Sequence, residues 1–403
     1  MHVVVIGAGV IGVTTAYYLS RAGCEVTIID SANEVAAGAS HANGGQLSYS
    51  FTDALAKPEF IAKIPALIAG RDRGSRVHLS TDMLSWGWRF LSQCTRKKAR
   101  QNTIAVLQTA MRSARLLQEL RRDVEFDFSH RAAGKLVILS DNEDLGAAKI
   151  SSQTKNAYGC DTDVLTRGES IQIEPALACL SQTFSGAVYS RNDEVADARL
   201  FTLRLKDWLE KNASVQFMLG SPVEKIPRYG DRVRSVLVAG EEIEADATIV
   251  CAGAWSTGLL QPLGIDTHIY PVRGYSVTLP PGEQAPMVSV TALKQRIVFS
   301  RINGQMRIAG FADFSGFSTN SDSERQDTLV AVARSFAPQA ADYGAEERAG
   351  WGGFRPMTPN GQPRTARTSL AGLYLNTGHG MLGWTLACAS GRDIAQTVTN
   401  STH

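Results

Sequence analysis

The chain has 403 residues, of which 44% are hydrophobic and 20% charged, with a formal net charge of +2. This length exceeds the size at which a single hydrophobic core usually keeps growing, so we expect two domains. The nearly balanced charge argues against nucleic acid as a partner. Six cysteines without a C-x-x-C pair or ligand-like spacing argue against a metal site or a disulfide framework. We therefore expect a protein of a reducing compartment, the cytoplasm.

The N-terminal residues carry no basic region before their apolar run, so we expect no secretory signal. No stretch approaches the roughly 18 uninterrupted apolar residues of a membrane-spanning helix. Two basic runs, RDRGSR (residues 71–76) and RKKAR (residues 96–100), are typical of solvated charge, and contact with an anionic surface is the alternative. Membrane association, on the inner face of the cytoplasmic membrane, would therefore be peripheral.

Residues 3–29 predict a βαβ unit, because two short apolar strands flank a helix-length amphipathic stretch. Between the first strand and the helix, Gly7, Gly9 and Gly12 occupy the positions of a G-x-G-x-x-G motif. In that motif the first glycine allows a tight turn and the second lets a pyrophosphate approach the backbone. The third glycine lets the helix pack closely on the strand.

Val10 and Ile11 lie at the N-terminus of the predicted helix, where free N–H groups and the helix dipole favour a phosphate. Asp30 ends the second strand, 18 residues after Gly12. Its carboxylate would accept hydrogen bonds from ribose hydroxyls and would repel the 2′-phosphate of NADP. The motif therefore predicts a bound dinucleotide and leaves NAD and FAD open.

The segment GASHANGGQLS (residues 38–48) is crowded with small and hydroxyl residues where an NAD enzyme would normally continue with a helix. Such a segment favours a backbone that runs alongside a ligand, and a flexible loop is the alternative. Ser40 and Asn43 would donate to phosphates or ribitol, while Gly44 and Gly45 would let amides approach a ring edge. Gln46 and Leu47 of this segment, and Val223 further along, are also predicted cofactor contacts.

Two later strands also run into glycine turns. The first turn, after residues 242–250, contains Ala252 and Gly253, and the second precedes a small-residue helix at 385–395. The dipole of that helix would stabilise the negative charge that a reduced flavin develops, a partner that a nicotinamide does not need. The turns therefore favour FAD. The predicted contacts in the second turn are Gly378, His379, Gly380, Met381, Leu382, Gly383 and Trp384.

With these motifs, the chain resembles the D-amino-acid oxidase type of FAD-dependent oxidoreductases, and within it the small subunits of bacterial D-amino-acid dehydrogenases. The resemblance covers nearly the whole chain. It depends on the glycine motif and on five further segments, which are ANGGQLS (42–48), EPAL (174–177), YPVRGYSVTLP (270–280), GFRPMTPNGQP (353–363) and LNTGHGMLGWTLACASG (375–391).

The resemblance implies that Arg355, in a G-x-R-P setting, binds the substrate carboxylate, and a guanidinium fork suits that task. Tyr275 is predicted to reach the substrate through its hydroxyl, with simple core packing as the alternative. His379, between two glycines, is predicted to contact the flavin or to gate the substrate, with a backbone-determined loop position as the alternative. Hydride transfer from a neutral amine needs no protein base, because the flavin does the chemistry.

The predicted fold is α/β, a Rossmann-like FAD-binding domain with an inserted α+β substrate domain built on an antiparallel sheet. The FAD-binding domain is expected to be discontinuous, at residues 1–85, 145–262 and 351–403. The substrate-binding domain is then formed by residues 86–144 and 263–350. Further helices are predicted at 103–122 and 198–211 from their 3.6-residue periodicity, and a strand at 270–279 from its alternating pattern.

The resemblance implies FAD-dependent deamination of D-amino acids to 2-oxo acids and ammonia, with electrons passed to a quinone or another acceptor. Partners would then be an amino acid, that acceptor, and either a membrane surface or partner subunits. One alternative is oxidation of D-hydroxyproline, sarcosine or glycine, and another is a flavoprotein subunit with an electron-transfer role. A pyridine-nucleotide dehydrogenase is a third, and it would lack a flavin spectrum.

Overall fold

The structure is a computed structural model that describes residues 1–320 and 322–400. Its helices are α1 (Val10–Arg21), α2 (Pro58–Ile61), α3 (Ile64–Ile68), α4 (Thr81–Leu91), α5 (Arg96–Val124), α6 (Asn142–Asn156), α7 (Arg167–Ile173), α8 (Ala198–Asn212), α9 (Ser256–Leu260), α10 (Asp322–Phe336) and α11 (Gly383–Thr399). Its strands are β1 (His2–Ile6), β2 (Glu25–Ile29), β3 (Gln46–Leu47), β4 (Lys135–Leu139), β5 (Thr162–Thr166), β6 (Gly186–Ser190), β7 (Glu194–Val195), β8 (Val215–Met218), β9 (Val223–Lys225), β10 (Ser235–Val238), β11 (Glu241–Glu244), β12 (Ala247–Val250), β13 (Tyr270–Leu279), β14 (Ser289–Ala292), β15 (Ile297–Ile302), β16 (Gln305–Asp313), β17 (Ala349–Met357), β18 (Arg364–Arg367) and β19 (Leu373–Thr377).

The first lobe is built on a sheet with the strand order β18-β19-β12-β1-β2-β8. All neighbours in it are parallel except the edge strand β18, which runs antiparallel to β19. The predicted βαβ unit is confirmed as β1, α1 and β2. This arrangement brings the carboxyl ends of β1, β12 and β19 to one edge of the sheet, where ligands bind in doubly wound folds.

Helices α1, α5, α8 and α11 enclose the core of this lobe. Leu120 of α5 is buried in the same cluster as Val13 of α1, Phe201 of α8 and Ala387 of α11. The prediction that residues 86–144 belong wholly to the substrate domain is therefore wrong for α5. The amphipathic pattern predicted that a helix has an apolar face, but it carried no information about which lobe that face covers.

The second lobe is an eight-stranded sheet in the order β17-β13-β16-β15-β14-β4-β6-β5. Its pairs are antiparallel except for β14 and β4, which confirms a largely antiparallel substrate sheet. The predicted strand at 270–279 is β13. Strands β5 and β6, and the edge strand β17, also belong to this sheet, so the prediction that assigned them to the FAD-binding domain is wrong. A strand's own sequence does not specify its hydrogen-bonding neighbour.

The two faces of this second sheet have different neighbours. Tyr275 and Val277 pack against α10, in one cluster with Leu329 and Ala333. The opposite face, which we call the cleft face, contacts the glycine-rich segment of the first lobe, because Ser276 Oγ donates to the carbonyl of Ala42 (2.6 Å). The cleft between the lobes therefore lies on this face. In the described ranges, no helix has both the length and the apolarity needed to span a bilayer.

Candidate active site

The turn after β1 has the geometry that the glycine motif predicts. Gly7 has a φ of +111°, and a β carbon there would lie 2.7 Å from the carbonyl oxygen of Cys251. A β carbon on Gly12 would overlap the carbonyl oxygen of Gly7, so α1 could not approach the turn. At Gly9 a β carbon would meet only Ser40 Oγ, at 3.4 Å. Gly9 therefore leaves open space where a pyrophosphate would approach.

The N-terminus of α1 faces this open space. Its N-cap residue, Gly9, has no side chain to satisfy the first amides of the helix. The N–H of Val10 donates to Ser40 Oγ (3.0 Å), which leaves the hydroxyl proton of Ser40 available to a phosphate oxygen. Asp30 follows β2 and accepts from the N–H groups of Ala8 (2.6 Å) and Ala32 (2.9 Å). Its carboxylate thus also holds the turn in shape.

The segment at residues 40–48 connects the N-termini of two helices. Its first residue contacts α1, and at its other end the N–H of Ser48 donates to Thr385 Oγ1 of α11 (3.0 Å). Asn43 Oδ1 accepts from the N–H of Gly45 (2.9 Å), which shapes the turn between them. The Gln46 side chain extends to Ser289 Oγ (2.6 Å) in the other lobe. Gln46 and the buried Leu47 would therefore meet a cofactor through their backbone.

The turn before α11 has a second uncapped helix N-terminus. Gly378 and Gly380 have φ angles of +76° and +56°, and Leu382, the N-cap of α11, makes no side-chain cap. Trp384 is a core residue, because its ring lies 4.7 Å from that of Phe201, so only its backbone is left for a cofactor. Of the other residues of this turn, Met381 is exposed and Gly383 is the first residue of α11.

The remaining predicted contacts lie around the same edge of the sheet. Gly253 has a φ of +55°, and its carbonyl accepts from Thr377 Oγ1 (3.1 Å), which joins the turn at Ala252 to the end of β19. Val223 begins β9 and packs against the cluster that contains Ile29, two residues after Ser221, whose N–H donates to the Asp30 carbonyl (2.9 Å). The residues present fit FAD, because the uncapped N-termini of α1 and α11 would supply free N–H groups to the pyrophosphate and to the ring end of a dinucleotide.

Arg355 lies on β17, on the cleft face. Its register partner across β13 is Val272, and its guanidinium lies flat against Gly274, where a β carbon would overlap it. Nη1 donates to the carbonyl of Phe311 (2.8 Å). Phe311 has a φ of +58° and lies at a bulge between β16 and β13, which turns this carbonyl toward the guanidinium.

The guanidinium of Arg355 has no carboxylate partner within residues 1–320 and 322–400. The nearby acid, Asp313, already accepts from Arg325 Nη2 (2.8 Å), the Arg76 N–H (2.9 Å) and the Tyr275 hydroxyl (2.9 Å). Burial lowers the pKa of Arg355 to about 10, against an opposing effect of Asp313 and Tyr275. Arg355 is therefore a cation at neutral pH, and it faces the cleft without a counter-ion.

The prediction that Tyr275 contacts the substrate is wrong. Alternate residues of a strand point to opposite faces, and Tyr275 lies beside Gly274, so its side chain points away from the cleft. Its ring is buried against α10 and its hydroxyl donates to Asp313. Burial, followed by the effect of Asp313, raises the pKa of Tyr275 well above its usual range. This tyrosine therefore supports the sheet from behind.

The side chain of His379 also lies outside the cleft. The imidazole is buried, and its Nε2 lies 2.9 Å from Ser390 Oγ in the middle of α11. Burial lowers the pKa of His379 to about 3, so the ring is neutral at physiological pH. The prediction that this side chain contacts flavin or substrate is therefore wrong, and its backbone contribution to the turn stays a prediction.

The sequence analysis missed Lys135. Its side chain is buried on β4, and Nζ donates to Ser48 Oγ (2.9 Å) and lies 4.3 Å from the centre of the Phe51 ring. Burial lowers the pKa of Lys135 to about 8, with Asp193 opposing. A lysine at the start of an otherwise apolar strand, KLVIL, is the signal that could have indicated it. It places a cation behind the predicted flavin segment.

The fold and the cleft together define the class, a flavin-dependent oxidoreductase whose substrate lobe is a separate sheet. The chain belongs to the FAD dependent oxidoreductase (DAO) family, which its residues 2–397 match. Two relatives are D-amino acid dehydrogenase 2 of Ralstonia nicotianae, 38% identical over 99% of this chain and 96% of its own, and D-amino acid dehydrogenase of Dechloromonas aromatica, 36% identical over 99% and 97%.

Solved structures share the fold at lower identity. An L-proline dehydrogenase from P. horikoshii has a TM-score of 0.76 at 18% identity, and the match covers 99% of this chain and 93% of that one. A glycine oxidase from Bacillus cereus has a TM-score of 0.73 at 20% identity, covering 100% and 96%. The cofactor of this protein is therefore FAD, as the family requires.

Substitution of two glycines of the first turn should separate cofactor binding from folding. We expect Gly9→Ala to fold and to lose most of its FAD, because the added methyl group occupies only the pyrophosphate space. Gly12→Ala should fail to fold, because its methyl group overlaps the backbone of Gly7. The flavin-to-protein absorbance ratio and the thermal unfolding temperature measure the two effects. Gly146→Ala, in open space on α6, is the control, and a Gly9→Ala protein with full FAD would contradict this assignment.

Acid pH should destabilise the fold through His379. Its folded-state pKa of about 3 lies below its unfolded value of roughly 6.5. Between these values the unfolded chain binds more protons, so stability is complete above the unfolded pKa and falls as pH decreases. Between pH 6 and pH 4 the parent should lose roughly 2–3 kcal/mol more free energy of unfolding than His379→Asn, as measured by urea denaturation. Parallel curves for the two proteins would show that the buried imidazole is protonated in the fold.

Proposed function

We propose that this protein is a dehydrogenase of D-amino acids that yields 2-oxo acids and ammonia and passes its electrons to a quinone or another acceptor. The observation that carries the proposal is Arg355, a cation on the cleft face that has no counter-ion in residues 1–320 and 322–400. A substrate with a carboxylate would supply that counter-ion. The relatives at 38% and 36% identity are named D-amino acid dehydrogenases, which supports the amino-acid class and the D configuration.

Arg355 would bind the substrate carboxylate through the N–H groups that the Phe311 carbonyl does not use. Because one of its nitrogens is already fixed, the fork would lose little rotational freedom when the carboxylate arrives. When FAD is bound, it supplies the hydride acceptor, its N5 atom. The chain's own contribution is to hold the Cα–H bond toward that acceptor, since orientation alone can supply several kcal/mol of the barrier.

The enantiomer is the part of the proposal that depends on the relatives. The L-proline dehydrogenase and the glycine oxidase share this fold, so the fold alone is compatible with either configuration and with glycine. The guanidinium of Arg355 would fix the substrate carboxylate, and the flavin ring would fix the direction of the Cα–H bond. The pocket that holds the substrate side chain is the third contact, and it selects the enantiomer. Oxidation of sarcosine, glycine or D-hydroxyproline is an outcome that the same experiment would detect.

The test is anaerobic bleaching of the bound flavin by matched D- and L-amino acids. We expect D-amino acids to bleach the flavin and their L-enantiomers to leave it oxidised. The product should be the 2-oxo acid with one equivalent of ammonia. In air, turnover should need a dye acceptor and release little hydrogen peroxide. Bleaching by L-amino acids only, or by none of the panel, would contradict the proposal.

Removal of the Arg355 charge should weaken binding of the carboxylate. Loss of one partner of a buried charge pair costs roughly 2–5 kcal/mol, so kcat/KM should fall about 30- to 5,000-fold in Arg355→Met. The D-amino acid amide, which lacks the carboxylate, should be as poor a substrate for the parent as the acid is for the variant. Arg348→Met is the control, because Arg348 precedes the same strand and, among the described residues, forms an ion pair only with the exposed Asp327.

For Arg355 the decisive comparison is the amide with the acid. If Arg355→Met lowers kcat/KM equally for both, the residue acts on something other than the carboxylate. A variant that keeps parental kcat/KM for the acid would remove the assignment of Arg355 altogether.

Gly274 should be as sensitive as Arg355 itself. In Gly274→Ala the methyl group would displace the guanidinium from its place against the strand. A misplacement of about 1 Å can cost roughly 100-fold in rate, so kcat/KM should fall by about that factor. The FAD content should stay at the parental level, because Gly274 lies in the substrate sheet. Unchanged kinetics would show that the guanidinium has room to move without loss of function.

A further inference from the structure

Residues 57–100, which we call the basic segment, have a charge unlike that of the rest of the chain. They contain ten Lys and Arg residues and three Asp and Glu residues, a net charge of +7. The whole chain carries +2, so the other residues together carry −5. Eight of the ten cations are exposed and, within the described residues, form no ion pair: Lys57, Lys63, Arg71, Arg73, Arg96, Lys97, Lys98 and Arg100.

The same segment also exposes an unusual number of large apolar side chains. Six of them have more than a third of their surface exposed, the largest fraction being 77% for Trp88. Scattered single apolar residues are normal on a protein surface, whereas a concentration of them marks a contact site. The six are Ile61, Ile68, Leu79, Leu84, Trp88 and Leu91.

Helix α4 is apolar on two faces, and only one of them is packed. Trp86 and Phe90 stack with ring centres 5.1 Å apart in the core beside β13, and Trp86 Nε1 donates to the carbonyl of Met357 (2.9 Å). Leu84, Trp88 and Leu91, spaced by four and three residues, form a stripe on the outer face. The buried face fixes the helix to the substrate lobe and leaves this stripe in solvent.

We propose that the outer stripe of α4 and the cations of the basic segment dock this protein on an anionic lipid bilayer. Tryptophan and leucine favour the boundary between headgroups and acyl chains, and basic residues near that surface each add attraction to anionic lipid. A second copy of the chain is a poorer partner, because a two-fold interface would bring two segments of +7 together. Docking here does not depend on the identity of the substrate.

Sedimentation of the FAD-loaded protein with vesicles tests this surface. We expect binding to phosphatidylcholine vesicles that contain about one-third phosphatidylglycerol, and at least about tenfold weaker binding to pure phosphatidylcholine. Raising the salt from about 0.1 M to about 0.5 M should weaken binding to the anionic vesicles.

Two variants remove the two components of the surface separately. Leu84→Ser with Trp88→Ser removes the apolar stripe, and Lys97→Gln with Arg100→Gln removes two charges. Each pair should bind anionic vesicles about ten- to thirtyfold more weakly than the parent. Ile150→Ser with Leu293→Ser, which changes two exposed apolar residues elsewhere, should bind like the parent. All three proteins should keep parental turnover with a soluble dye, which separates this test from that of the proposed function.

Two results would overturn the proposal. One is that the parent does not sediment with anionic vesicles, or that the stripe variant binds them as well as the control does. The other is that the parent self-associates through the stripe, with the Leu84→Ser and Trp88→Ser protein monomeric, while neither protein binds vesicles.

Discussion

The arrangement of the candidate site depends on one cation, Arg355, that has no carboxylate partner among the residues the structure describes. A guanidinium that is partly removed from water needs acceptors and a counter-charge, and the described part of the fold gives Arg355 one carbonyl and no carboxylate. The carboxylate of Asp313 is close, but three donors already use it on the other face of the sheet. The described residues therefore leave the charge of the guanidinium unneutralised. An anion that enters the cleft would supply the missing counter-charge.

Two local features of the backbone hold that cation in place. The bulge at Phe311, with its left-handed φ, points a carbonyl at the guanidinium, and such conformations persist only where the surrounding structure supports them. Gly274 removes the side chain that would otherwise occupy the same space. The network of Asp313, Arg325 and Tyr275 lies directly behind and fixes the bulged strand. The residues that hold Arg355 are thus spread over two neighbouring strands, β13 and β16, and one helix, α10.

The sequence analysis predicted local features well and relative placement poorly. The bounds of β13 and the roles of Gly7 and Gly12 follow from nearest neighbours in the chain, where period and steric freedom decide. The side of the sheet that faces the cleft is the side on which Arg355 lies, and the register between β13 and β17 decides whether Tyr275 shares it. The sequence does not contain that register, so the prediction for Tyr275 failed. Helix α5 was assigned to the wrong lobe because its amphipathic pattern does not indicate which lobe its apolar face packs against.

Buried hydrogen bonds join α4 to the strand of Arg355 and join the segment at Ser48 to both lobes. The surface of α4 is therefore connected to the geometry of the cleft. The carbonyl that accepts from Trp86 of α4 belongs to Met357, two residues beyond Arg355 on β17. A displacement of α4 would therefore act on β17, the strand that also holds Arg355. The segment at Ser48 is likewise fixed from both sides, by Thr385 of one lobe and Lys135 of the other. Because each support is a buried hydrogen bond, movement of one lobe against the other would break bonds at the cofactor segment, so a rigid cleft is the expected resting state.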